Sequence, residues 1–228
     1  MSTVRFTMSS GGVREVAVRH LFNAGYAGRD SASVQHHVDE LARLGVPAPS
    51  QVPTLYPLPS YLLTQTSTIH VPHEQTSGEA EWAVVVGEDP GDVLLTVACD
   101  HTDRALEVHG VAWSKQTAPD VLGDLAWPLE EVSDELDGFA LRAWVSHGGR
   151  ETLIQEGNLG QLLPPGYWLD RLAEHSLLRP GSVLLSGTIP MIDGVDQFAD
   201  AWRVEMTDPH GQVSRLAYRI ETLPPAWA

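Results

Sequence analysis

The sequence predicts a mainly β, α+β fold, and three observations carry that reading. Short apolar runs rich in Val, Leu, Ile and aromatics recur from residue 82 onward, with Gly, Pro or Asp between them. Two of them, 202–206 and 216–220, alternate apolar and polar residues. Helical periodicity is confined to a few segments, the longest at 31–44.

Taken in order, residues 13–22 read as a strand that enters a Gly- and Asn-containing loop. A helix is expected over 31–44: Asp30, Ser31 and Ser33 are candidate N-caps, Val34, Val38, Leu41 and Leu44 form one stripe, and Gly45 ends it. Residues 46–60 hold five prolines, which argues against regular structure there. A short strand fits 69–71. Further strands are expected at 82–86, 93–98, 139–145, 183–185, 202–206 and 216–221, and helices at 103–108 and 167–178. No repeat, low-complexity tract or linker divides the chain, so residues 1–228 are read as one domain. Within it, 1–65 supply the first strand, the helix and the Pro-rich segment, and 66–228 the β core.

Composition narrows the function classes. The 228 residues are 43% hydrophobic and 19% charged, as in a globular chain able to bury a core. The net charge of −16 and pI near 4.8 disfavour nucleic acid and anionic membranes as partners. A lone cysteine, Cys99, excludes a disulfide framework and a thiolate zinc site within one chain. No signal-peptide pattern and no apolar run of about twenty residues occurs, so a cytoplasmic location is expected. Walker, Gly-x-Gly-x-x-Gly and Gly-x-Ser-x-Gly motifs are absent.

The chemistry concentrates around Glu79, Glu81 and Asp100. Glu79 and Glu81 stand two apart at the start of a strand, so their side chains share a face. Asp100 ends the next apolar run, which the turn Asp89-Pro-Gly-Asp92 would fold back alongside the first. Three carboxylates converging from adjacent strands form a hard oxygen cage suited to Mg²⁺, Mn²⁺ or Ca²⁺. The same Glu-x-Glu spacing also fits a solvated strand face. His37 and Glu40, three apart on the expected helix, fit either a general-base pair or a polar helix surface. Arg104 and Lys115 (Lys115 being one of very few lysines) fit either substrate contacts beside a metal or surface charges. Gly187-Thr188, after a strand, could offer a backbone N–H and a hydroxyl to an oxyanion.

In this order, the segments Gly28-Arg29-Asp30, His37-Val-Asp-Glu40, Glu79-Ala-Glu81, Asp100-His-Thr-Asp-Arg104, Ser114-Lys-Gln116, Gln155-Glu-Gly157 and Pro180-Gly-Ser-Val-Leu-Leu-Ser-Gly-Thr188 resemble the fumarylacetoacetate hydrolase superfamily. The resemblance implies a mixed β-roll with a short helical lid and a divalent cation at its mouth. It implies activity on 2-oxo or 1,3-dicarbonyl acids: C–C hydrolysis, decarboxylation, hydration, dehydration or isomerisation. A non-catalytic protein that binds a small acid on the same scaffold is the alternative. By motif, Glu79, Glu81 and Asp100 correspond to metal ligands, and His37 and Glu40 to the water-activating pair. Lys115 corresponds to a catalytic residue, and Arg29, Arg104, Gly187 and Thr188 to substrate contacts. A small carboxylic acid is the implied partner, Mg²⁺ or Mn²⁺ (with Ca²⁺ as a further choice) the implied cofactor, and a homodimer the implied assembly. The chain departs from the pattern in three places. It lacks the family lysine near Leu58, carries Glu107 where hydrolases often have Gln, and reads Gly187-Thr-Ile-Pro190 for Gly-Thr-Pro.

Overall fold

A computed structural model describes residues 2–43 and 45–225, with the side chains of Ser33, His37, Glu40 and Leu41 outside the description. The architecture is mainly β, built on two sheets.

The chain opens with β1 (Thr3–Met8), whose alternation buries Val4, Phe6 and Met8. It pairs antiparallel with β2 (Val13–Ala17). The single strand expected over 13–22 is in fact two. After Ala17 the chain leaves β1, and β3 (His20–Gly25) pairs in parallel with a strand much later in sequence, β12 (Ser182–Leu185). Arg19 N donates to Gly181 O at the changeover. The helix α1 spans Ser31–Arg43, buries Val34 and Val38, and is followed by Gly45 at φ +87°. The last position of its expected stripe, Leu44, lies outside the described residues, as does the side chain of Leu41.

The Pro-rich segment also departs from expectation. Thr54–Leu58 forms β4, antiparallel to β3, with Pro57 opposite Phe22. Because β4 is the last strand of its sheet, a residue without an N–H is tolerated on its open side. Two short strands follow, β5 (Leu63–Thr64) and β6 (Thr68–Val71).

The centre of the molecule is the hairpin of β7 (Thr76–Val86) and β8 (Val93–Asp103), eleven residues each and buried throughout. Gly87 N donates to Asp92 O at 2.7 Å, closing the turn that the sequence marked. Both strands begin or end beyond the apolar runs that announced them. The extra residues, 76–81 and 99–103, are largely polar and still buried. Two short helices, α2 (Arg104–Glu107) and α3 (Val111–Lys115), cover that polar end. Then come β9 (Asp120–Pro128), α4 (Leu129–Val132), β10 (Ala140–His147), β11 (Arg150–Asn158), α5 (Pro165–Glu174), β12, β13 (Ala201–Thr207) and β14 (Val213–Thr222).

Among the described residues, one sheet has nine strands in the order β2-β1-β9-β8-β7-β12-β3-β4, with β5 on β9. The other has five, β11-β10-β13-β14-β6. One face of the β7–β8 hairpin contributes Trp82, Val84, Leu95 and Val97 to a core shared with Trp202, Phe139, Leu141 and Tyr218. Its other face packs Ala83, Val85 and Leu94 with Val4, Phe6, Leu21 and Val183. A hairpin covered on both faces reads as continuous apolar sequence, and this one does. No helix of the described residues is long and apolar enough to cross a membrane.

Close packing at the hairpin is testable at Gly78. A Cβ there would sit 2.6 Å from a ring carbon of Trp202 and 2.8 Å from Cys99 Sγ. Gly78→Ala is expected to lower unfolding free energy by about 1–3 kcal/mol, read from urea midpoints; an unchanged midpoint contradicts this packing.

Candidate metal centre

The pairing of β7 with β8 sets Glu79 opposite Asp100, and Glu81 lies two residues further along the same face. One oxygen from each of the three lies within 4.8 Å of the others. Glu81 and Asp100 are fully buried and Glu79 is 9% exposed. These are the only groups of this kind among the described residues.

Each carboxylate has its own support. Glu81 accepts Gly187 N–H at 2.8 Å and the Asn23 side-chain amide at 3.3 Å. Glu79 accepts Arg104 Nη2 at 2.8 Å and Lys115 Nζ at 2.9 Å. Lys115, the chain's only lysine, also donates to Asp100 Oδ2, while Asp100 Oδ1 has no hydrogen-bond partner. Arg104 Nε donates to Ser77 Oγ at 2.6 Å and Nη1 to Glu107 at 2.9 Å.

The electrostatics follow from burial and charge. Burial pushes Glu79 up, but Lys115 and Arg104 outweigh it and hold its carboxyl at about 2. Glu81 is driven well above the usual carboxylate range by burial and then by Asp100. Burial lowers Lys115, yet Asp100 and Glu79 more than restore it, so it stays an ammonium. Donors that are all carboxylate oxygens, one of them unpartnered, and a local excess of negative charge fit a hard divalent cation.

Gly187 and Thr188 follow β12. Gly187 has φ +78°, and a Cβ on it would lie 2.8 Å from Ala24 O, so glycine alone lets its N–H reach Glu81. Thr188 donates to Ala80 O at 2.9 Å and accepts from Gln155 Nε2 at 2.8 Å. Arg29 lies apart from the carboxylates. Both of its η nitrogens bond Asp137 at 2.8 Å, and its Nε bonds Leu162 O. His37 and Glu40 are carried on α1, and their side chains fall outside the description.

Four further residues belong here. Asn23 falls in the loop expected after residue 22 but lies buried within β3, and Gln155, first residue of the Gln155-Glu-Gly157 segment, is fully buried. Asp120 stands opposite Asp100 in the β8–β9 register, fully buried, and burial followed by the charge of Asp100 raises its carboxyl well above normal. Tyr26 has φ +54°, rare for a residue with a side chain. Burial first, then Tyr56 and Glu107, push its phenol up to about 12, so it remains a donor.

Residues 24–218 match the family described as "Protein of unknown function (DUF2848)", and the chain belongs to that family. No curated protein matches the sequence. Solved structures match its fold. The fumarylpyruvate hydrolase of Pseudomonas aeruginosa, in complex with Mn²⁺ and pyruvate, aligns with TM-score 0.67 at 18% identity, over 98% of this chain and 97% of that one. A 2-keto-3-deoxyarabinonate dehydratase aligns with TM-score 0.66 at 16% identity, over 93% and 77%. The 5-carboxymethyl-2-hydroxymuconate delta-isomerase of Mycobacterium smegmatis aligns with TM-score 0.62 at 18% identity, over 99% and 100%. The fold is that of the fumarylacetoacetate hydrolase superfamily.

On the opposite face of β8 from Asp100, His101 bonds Tyr218 Oη at 2.9 Å and Thr76 Oγ1 at 3.0 Å. Burial, then the Arg104 charge, lower it from 6.5 to about 3. The folded ring stays neutral while the unfolded chain takes a proton below about pH 6.5. Its contribution is therefore complete above that pH and falls as pH drops toward 3, by up to about 1.4 kcal/mol per unit. Between pH 6.5 and 5, wild type should lose more stability than His101→Gln in urea unfolding; equal losses contradict a buried neutral ring.

Proposed function

We propose that this protein is a divalent-metal-dependent enzyme that hydrolyses a C–C bond in a 2-oxo or 1,3-dicarbonyl carboxylic acid. The observation that carries the reading is the convergence of Glu79, Glu81 and Asp100 on one buried point, with Lys115 and Arg104 against them. The same fold is found in a hydrolase, a dehydratase and an isomerase, one of them solved with Mn²⁺ and pyruvate.

Glu79, Glu81 and Asp100 would hold Mg²⁺ or Mn²⁺, which when bound supplies Lewis acidity toward vicinal carboxylate and oxo oxygens. The chain's own residues do the rest. His37, oriented by Glu40, takes a proton from water as the water oxygen bonds to the distal carbonyl carbon. Lys115 and Thr188 stabilise the resulting oxyanion, Thr188 by turning its hydroxyl from Ala80 O, while the Gly187 N–H stays on Glu81. The C–C bond then breaks, its electron pair stays with the oxo-acid fragment as an enolate, and His37 returns the proton to carbon. Arg104 contacts the substrate beside Lys115. Arg29 anchors the segment entering α1 through its ion pair with Asp137. The lid role of α1 and a cytoplasmic homodimer belong to the same reading.

The test is turnover on a panel of acylpyruvates and 2-oxo acids with Mn²⁺. Hydrolysis should vanish in the Glu79→Ala, Glu81→Ala double variant. His37→Ala should lower kcat by about 10²–10⁴-fold. Decarboxylation that survives loss of His37 would reassign the protein as a lyase, because that reaction needs no activated water. Full hydrolysis by either variant contradicts the mechanism.

A further inference from the structure

The cations of this site are already committed. Arg104 has a partner at each of its three nitrogens: Ser77 Oγ at 2.6 Å, Glu107 at 2.9 Å and Glu79 at 2.8 Å. Lys115 is shared between Glu79 and Asp100. Arg29 is held away from the cluster by Asp137. Every Lys or Arg assigned to the site therefore faces a carboxylate of the protein.

Charge counting gives this a direction. Three ligand carboxylates around a divalent ion leave one negative charge. Lys115 and Arg104 turn that into one positive charge. Glu107 bonds the guanidinium at 2.9 Å; burial raises its carboxyl, the Arg104 charge opposes that shift, and as a carboxylate it cancels the positive charge. The loaded site is then neutral before substrate enters, and the first substrate carboxylate already takes it to one negative charge. Asp120 does not alter the sign, since protonated it adds nothing and ionised it adds further negative charge. A second substrate carboxylate would meet Glu107 with no cation left to offset it.

Uncharged side chains line the neighbouring strand β4, Thr54–Leu58. The Tyr56 ring lies against Gly25, where a Cβ would come within 2.5 Å of it, and Tyr26 is the next residue along. Gln116 Nε2 bonds Pro57 O at 3.0 Å and ties the helix bearing Lys115 to the strand bearing Tyr56. The lysine that the resemblance expects near Leu58 is absent, and Leu58 itself is buried and apolar.

We infer that Glu107 makes this site select 2-oxo acids bearing a single carboxylate and a neutral far end, and reject dicarboxylates. The inference rests on the metal-dependent reading above and names its substrate class.

Calorimetric titration of the Mn²⁺-loaded protein with 2-oxopentanoate and 2-oxoglutarate tests it, because these share a five-carbon chain and differ by the second carboxylate. In wild type, 2-oxoglutarate should bind at least about tenfold more weakly, the size of a partly screened like-charge contact. Glu107→Gln should shrink that ratio by about tenfold, and Glu107→Asp, which keeps the charge, should retain most of it. A wild-type ratio near one, or a ratio that Glu107→Gln leaves unchanged, overturns the selectivity while leaving the enzyme reading intact. Failure of both acids to bind while Mn²⁺ binds overturns the enzyme reading and this inference together. A wild-type ratio near one overturns the inference without any variant, and Glu107→Asp, which keeps the charge, serves as the folding control for Glu107→Gln.

Discussion

Buried carboxylates repel, and this fold is organised around three that cannot move apart. At about 5 Å and an effective dielectric near 20, each like-charge pair costs about 3 kcal/mol. Once β7 and β8 pair in register, Glu79 and Asp100 are opposite one another and Glu81 is beside them. Positive charge or protons must then be supplied locally. The chain spends its single lysine here, adds Arg104, and points the Gly187 N–H and the Asn23 amide at Glu81. Such an arrangement is a poor way to stabilise a fold, since a well-packed apolar substitute is often as good or better. Its physical logic is the binding of something positively charged.

The rest of the architecture fixes the geometry of that point. The hairpin is covered on both faces, so neither strand can slide without exposing a full apolar row. Gln155, from the second sheet, bonds Ala80 N as well as Thr188 and Ile189, which locks the strand between Glu79 and Glu81 to the Gly187 turn. Ser186 Oγ accepts Trp82 N–H on the other side of Glu81. The acids thus sit on a strand held at consecutive positions from two directions, and ligand groups fixed in this way need little reorganisation on binding.

The part of the site that rests on local rules could be read from the sequence. Strand alternation put Glu79 and Glu81 on one face, and the Asp89-Pro-Gly-Asp92 turn brought Asp100 to them. The parts that rest on long-range pairing could not. Asn23 reaches Glu81 because β3 joins β12, a parallel contact between residues 162 apart in sequence that no local pattern encodes. Asp120 meets Asp100 through the β8–β9 register, and β9 was missed because Gly123 and Asp124 interrupt its apolar run. The strand at Thr54–Leu58 was hidden by prolines that an edge position tolerates. The edge strand β11 reads as polar over most of its length. In the same way, the apolar criterion cut β7 and β8 short at the positions where buried polar residues build the site.

The account depends on the three carboxylates acting as one cation site, and thermal unfolding tests that most directly. Chelator-treated protein would be melted alone, with Mn²⁺, with oxalate, and with both. A ligand at about a hundredfold its dissociation constant stabilises the folded state by about 2.7 kcal/mol. The expected result is a rise in Tm with Mn²⁺, a further rise with oxalate only when Mn²⁺ is present, and loss of both in a Glu81→Ala variant that still melts cooperatively. An unchanged Tm with Mn²⁺, or an oxalate effect independent of the metal, would contradict the account.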